Sequence, residues 1–112
     1  EQSFSIIIIN QLQVGDDIIP GRISLGNNFP NPFNNNTSIN IYSDTYKDVF
    51  LYLNDINGRL VKVLLDNKKS KGLKTIHWSG TNDLGIKMQS GIYFYTLEIG
   101  GFKETKKMLL LK

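Results

Sequence analysis

His77 is the only histidine in the chain, and no carboxylate or thiol stands at ligand spacing around it. In a strand it points away from Trp78, so a satisfied or exposed side chain is expected rather than a catalytic one. Ser38, Ser43 and Ser79 are possible nucleophiles, but the sequence offers them neither a base nor an orienting acid. Asp55-Ile56-Asn57-Gly58 and Asn82-Asp83 faintly echo calcium loops, without the regular series of acidic positions that such a loop requires. Gly80–Gly85 lacks the lysine that would make it a phosphate loop. Trp78, Tyr93 and Tyr95 could line a sugar platform, yet their alternation assigns them to a core. Asn35-Asn36-Thr37 fits a glycosylation acceptor, a motif too common to weigh much. There is no cysteine, which excludes a disulfide framework and thiolate metal sites and leaves the redox compartment open. These residues assemble no enzyme, and no cofactor is expected.

The elements that would position any site are strands. The chain has 112 residues, one domain's worth, and contains no alanine, while β-branched and aromatic residues are plentiful. A formal charge of +3 is too small to argue for nucleic acid. The basic clusters Lys68, Lys69, Lys71, Lys74 and Lys103, Lys106, Lys107, Lys112 are not interleaved with aromatic stacking platforms, so they suit a solvated face or a protected strand edge. Apolar runs such as Ile6–Ile9 are too short to span a bilayer. Because the chain begins at Glu1 without methionine, a processed product or an excised piece of a longer protein is expected.

Residues 1–24 are expected to form an N-terminal strand and linker, and residues 25–112 an immunoglobulin-like, all-β sandwich of about seven short, mostly antiparallel strands. The strands are expected at 4–9, 37–43, 48–54, 59–65, 73–79, 91–99 and 102–112. Asn57-Gly58 supplies a tight turn in which both positions tolerate positive φ, and Gly100-Gly101 a two-residue hairpin loop. A polar, lysine-rich loop is expected up to Gly72. The stretch "NNFPNPFNNN" (27–36) predicts a stiff, extended segment along a sheet edge, since Pro30 and Pro32 fix φ and restrict the residues before them. Phe29 and Phe33 are expected to plug one end of the sandwich, with Asn34, Asn35 and Asn36 holding the bend that follows.

Three pieces, "SLGNNFPNPFNNNTSINIYS" (24–43), "VFLYLNDINGRLVKVL" (49–64) and "HWSGTNDLGIKMQSGIYFYTLEIGGFKETKKMLLLK" (77–112), come in the order of one family. The chain resembles the C-terminal sorting domain of the type IX secretion system, a module similar to the immunoglobulin-like domain of flagellar hook-capping proteins. It departs from the family pattern in Ser79, where aspartate is usual, and in its asparagine-rich tract. The resemblance implies an address rather than a reaction. Such domains carry secreted proteins from the periplasm through an outer-membrane translocon to the surface of a Gram-negative bacterium, where a sortase can remove the domain and attach the cargo to surface lipopolysaccharide. It assigns recognition to Pro30-Asn31-Pro32-Phe33, to the Asn57-Gly58 turn, to Gly91-Ile92-Tyr93, and to Lys107–Lys112.

An edge strand is a template for strand addition, which gives the last strand a means of being recognised. Met108, Leu109, Leu110 and Leu111 offer apolar side chains to a partner; for Leu109 and Leu111 a place in the core is favoured, while Lys112 suits recognition. The expected partners are the outer-membrane secretion machinery, a sortase, and an upstream cargo domain. Phe4, Ile6, Ile7, Ile8 and Ile9 need a cover, because such a run is an aggregation hazard. They could end an upstream domain, add a strand to this sandwich, or be donated to a neighbouring identical subunit in a filament. An accessory binding module is a further alternative.

Overall fold

The computed structural model describes residues 22–112, and the expected strand Phe4–Ile9 and its connector lie outside them. Five strands form one antiparallel sheet: β1 (Ile23–Leu25), β2 (Thr37–Asn54), β3 (Leu60–Trp78), β4 (Gly91–Ile99) and β5 (Phe102–Leu110). No helix occurs among the described residues.

β2 and β3 make a long hairpin, from Thr37 opposite Trp78 to Asn54 opposite Leu60. The other edge of β2 is shared: β1 pairs along Ile41–Ser43 and β4 along Val49–Asn54. β5 pairs with β4 without a register shift. The hairpin folds over itself. Trp78, opposite the first residue of β2, meets Tyr93 edge-on with ring centroids 5.5 Å apart, and Phe94, next to Tyr93, pairs with the last residue of β2. The two ends of β2 therefore meet, and the sheet closes into a sandwich.

The corner is built by a mismatch. Five residues of β2, from Ser43 to Lys47, span three of β3, from Gly72 to Ser70, and the extra length bends the ribbon as bulges do. Gly72 sits at φ +87°, a conformation that side chains disfavour. Ser43 is buried at this corner, and its hydroxyl donates to the Thr45 carbonyl at 2.8 Å.

Continuity through this corner turns four of the expected strands into two; with the expected strand 4–9 outside the described residues and β1 not foreseen, five strands stand. The segments 37–43 and 48–54 are halves of β2, and 59–65 and 73–79 correspond to halves of β3. The lysine-rich stretch expected as a loop is strand: Val49 pairs with Lys68 and Asp48 with Lys69, whose Nζ lies 3.0 Å from the Asp48 carboxylate. Exposed ladder hydrogen bonds hold the backbone through a segment that buries little.

Alternation fills the core. Val49, Leu51 and Leu53 of β2 lie beside Ile99, Leu97 and Tyr95 of β4 on one inner face, and with Ile39 and Ile41 of β2, Tyr93 of β4, Met108 and Leu110 of β5 and Trp78 they make one buried cluster. Tyr95 bridges the layers: its hydroxyl donates to the Gly26 carbonyl at 2.9 Å and accepts from the Asn28 N–H at 3.0 Å.

Candidate functional site

The segment before β2 is bent, not extended. Both the Phe29–Pro30 and Asn31–Pro32 peptide bonds are cis, and the chain touches its neighbours through isolated bridges from Phe29 to Ser38 and from Phe33 to Leu110. The two phenylalanines part company. Phe33 is 2% exposed and packs 5.5 Å from Trp78, whereas Phe29 is 79% exposed and plugs nothing. The bend turns its side chain outward. Asn34, Asn35 and Asn36 are exposed and make no side-chain hydrogen bond among the described residues. The bend is held instead from inside: the buried Thr37 hydroxyl donates to the Pro30 carbonyl at 2.9 Å, and Asn28 Nδ2 donates to Thr37 Oγ1 at 3.0 Å.

The same segment does lie along a sheet edge, as expected. The Phe33 N–H donates to the Leu109 carbonyl, the Leu111 N–H donates to the Phe33 carbonyl, and the Leu109 N–H donates to Asn31 Oδ1. The last turn of chain is clamped further by the Lys112 N–H on Ser90 Oγ at 2.9 Å. Opposite, Gly91 pairs with Leu110, Ile92 with Leu109 and Tyr93 with Met108. Three of the four recognition elements thus meet around the end of β5.

The fourth, the turn at Asp55–Arg59, borders the same end. It shares with Gly91, Ile92 and Tyr93 a cleft of about 670 Å³. Only Gly58 takes positive φ (+83°), so Asn57 does not use the freedom expected of it; a single left-handed residue closes this five-residue turn. Asp55 is its keystone. Its Oδ1 accepts from the Asn57 and Arg59 N–H groups, each at 2.9 Å, and its Oδ2 from Arg59 Nε at 3.1 Å. The Arg59 N–H foremost, then that of Asn57 and the guanidinium, hold this carboxyl below the usual carboxylate range, against some desolvation. Burial, and then the charge of Asp55, push the Tyr93 phenol up. The loop at Asn82–Ile86 repeats the design, with Asn82 Oδ1 accepting from the Leu84 and Ile86 N–H groups at 2.9 Å. Of the oxygens that suggested calcium loops, those of Asp55 and Asn82 close turns, while Asp83 Oδ1 accepts from the Val63 N–H at 3.4 Å and lies 4.0 Å from Lys62 Nζ.

Within the terminal run, alternation decides the roles. Met108 and Leu110 are 1% exposed and belong to the core, while Leu109 is half-buried and Leu111 is 48% exposed. The core role expected of Leu109 and Leu111 is therefore not met: the pleat puts Leu109 on the outer face of β5, and Leu111 lies beyond the strand. Gly91 and Lys107 are respectively half-buried and exposed; Tyr93 is buried, and its hydroxyl donates to the Gln89 carbonyl at 2.6 Å.

One contact escaped the sequence. The β2–β3 register places His77 opposite Ser38, with Nδ1 and Oγ 2.8 Å apart, so Ser38 does have a base beside it. The pair sits on an exposed sheet face, and the Ser38 N–H donates to the Phe29 carbonyl, leaving it no oxyanion-binding role. Trp78, Tyr93 and Tyr95 are buried, which removes them as a sugar platform.

A folded ribbon closing an all-β sandwich, with its last strand clamped by an earlier proline-rich segment, is an immunoglobulin-like domain. Residues 26–100 match the model of the FlgD Ig-like domain, and the chain belongs to that family. Among solved structures, it is similar to dimeric latent PorU from Porphyromonas gingivalis (27% identity, TM-score 0.66, 86% of this chain and 10% of that one). It is also similar to truncated FlgD from Helicobacter pylori (25% identity, TM-score 0.51, 80% and 70%). PorZ, a surface component of the type IX secretion system of Porphyromonas gingivalis, shares the fold (13% identity, TM-score 0.53, 80% and 11%). The chain spans about a tenth of the length of PorU and PorZ. No significant relative was found among curated proteins.

Proposed function

We propose that this domain is a sorting address: it directs an attached secreted protein through the type IX secretion machinery of the outer membrane to the surface of a Gram-negative bacterium, where a sortase can act on it. The observation that carries this reading is convergence. Pro30–Phe33, Asn57-Gly58, Gly91–Tyr93 and Lys107–Lys112 are far apart in sequence and gather at one end of the sandwich. A docking protein could therefore read all four at once, together with the exposed Leu111 and Lys112. The similarity to PorU supports the setting.

Removing Lys107–Lys112 would be an ambiguous test, since it takes Met108 and Leu110 out of the core. The decisive variant exchanges Leu111 and Lys112 for serine in a fusion to a reporter exported by a type IX-competent host. The expected outcome is loss of surface display with the melting temperature of the isolated domain unchanged. Undiminished display of that variant refutes the proposal.

A further inference from the structure

We infer that the stretch Lys103–Lys107 of β5 accepts, by strand addition, an extended partner segment bearing acidic side chains. This deepens the sorting proposal by naming the chemistry of the partner, and it rests on that proposal for its biological setting.

The phase of β5 follows from its hairpin. Ile99 pairs with Phe102 across the Gly100-Gly101 loop, and the register then runs unshifted to Gly91 and Leu110. Residues flanking a two-residue loop exchange both ladder bonds, so even-numbered residues of β5 face β4 and odd ones face away. Leu109 fits this phase: its N–H and carbonyl are taken by Asn31 and Phe33 on the outer side. The clamp ends there. The outward N–H and carbonyl groups of Lys103, Thr105 and Lys107 have no backbone partner among the described residues. They form an open template.

Its chemistry is selective. Lys103, Thr105 and Lys107 are exposed on the outer face. Lys103 Nζ lies 4.0 Å from Glu98, but Lys107 stands opposite Phe94 and has no ion pair among the described residues. Pairing with a second copy, antiparallel about Thr105, would set Lys103 opposite the partner's Lys107 twice over, and like charges so placed repel. On the inward side, half-buried Lys106 lies 3.8 Å from Glu104 and donates to Asn27 Oδ1 at 3.2 Å. Inward charge disfavours an apolar strand, including one with the composition of Phe4–Ile9. What fits is a segment with carboxylates four residues apart, facing Lys103 and Lys107, and a polar residue between. Just beyond Lys107, Asn31, Pro32, Ile92 and Leu109 border a cleft of about 310 Å³ that can take an apolar side chain of the same segment.

The test is binding in solution, which stands apart from whether fused cargo is exported. The isotope-labelled chain is titrated with a synthetic peptide that alternates threonine and glutamate and ends in leucine, and with its lysine-for-glutamate counterpart. The glutamate peptide should shift the amide signals of Lys103, Thr105 and Lys107 and slow their exchange; the lysine peptide should not. Lys107→Pro removes one outward donor without touching the β4 ladder and should weaken binding about fivefold or more. The double variant Lys103→Glu, Lys107→Glu should reverse the peptide preference. Equal binding of both peptides, shifts confined to another strand, an unreversed preference, or stronger binding by a peptide of sequence FSIIII would each overturn the inference.

Discussion

Phe29 and Phe33 have the same side chain and nearly the same sequence setting, yet only one is structural. Phe33 is buried against Trp78, which in turn meets Tyr93 edge-on, so three aromatic rings seal the end of the core. Phe33→Ala should therefore cost about 3–5 kcal/mol in denaturant-induced unfolding, while Phe29→Ala should change stability by no more than about 0.5 kcal/mol. A comparable loss at both positions would place Phe29 in the core and contradict the bend. Sequence alone could not separate them, because their fates depend on which side of the bent segment meets Trp78, a residue more than forty positions away.

At the scale of elements, turns and pleat carry the argument. Asp55 and Asn82 organise two turns by the same hydrogen bonds, one with a charge and one without. Asp55→Asn should therefore keep the turn while removing its titration. Because the folded-state carboxyl is held below its unfolded value, its stabilising contribution is full above about pH 4 and is lost as pH falls through the folded value. The stability difference between the wild type and Asp55→Asn, measured by urea unfolding, should shrink from pH 7 to pH 3. A difference that stays constant over that range would show that the charge contributes nothing. The turns and the alternation of β2, β4 and β5 were legible in the sequence, since both depend on residues a few positions apart. The joining of short segments into β2 and β3 was not, because exposed lysines signal a loop, whereas the ladder through Lys68 and Lys69 is held by backbone bonds to a distant strand.

For the whole molecule, the buried apolar cluster is assembled from Leu25 to Leu110 and spans both layers. A chain beginning at Arg22 should then unfold cooperatively in urea, and a fragment without a cooperative transition would show that this cluster does not suffice for the fold. A ladder of oligomers lost on deleting residues 1–10 would identify Phe4–Ile9 as a donated strand. What the sequence determined by itself was the β class, the turns and the alternating core positions, because pleat and turn chemistry act between near neighbours. Only the tertiary structure decided which phenylalanine is buried, which residues of β5 are exposed, and that four distant motifs share one end. Those outcomes follow from how the folded ribbon brings remote edges together, and no local pattern encodes that geometry.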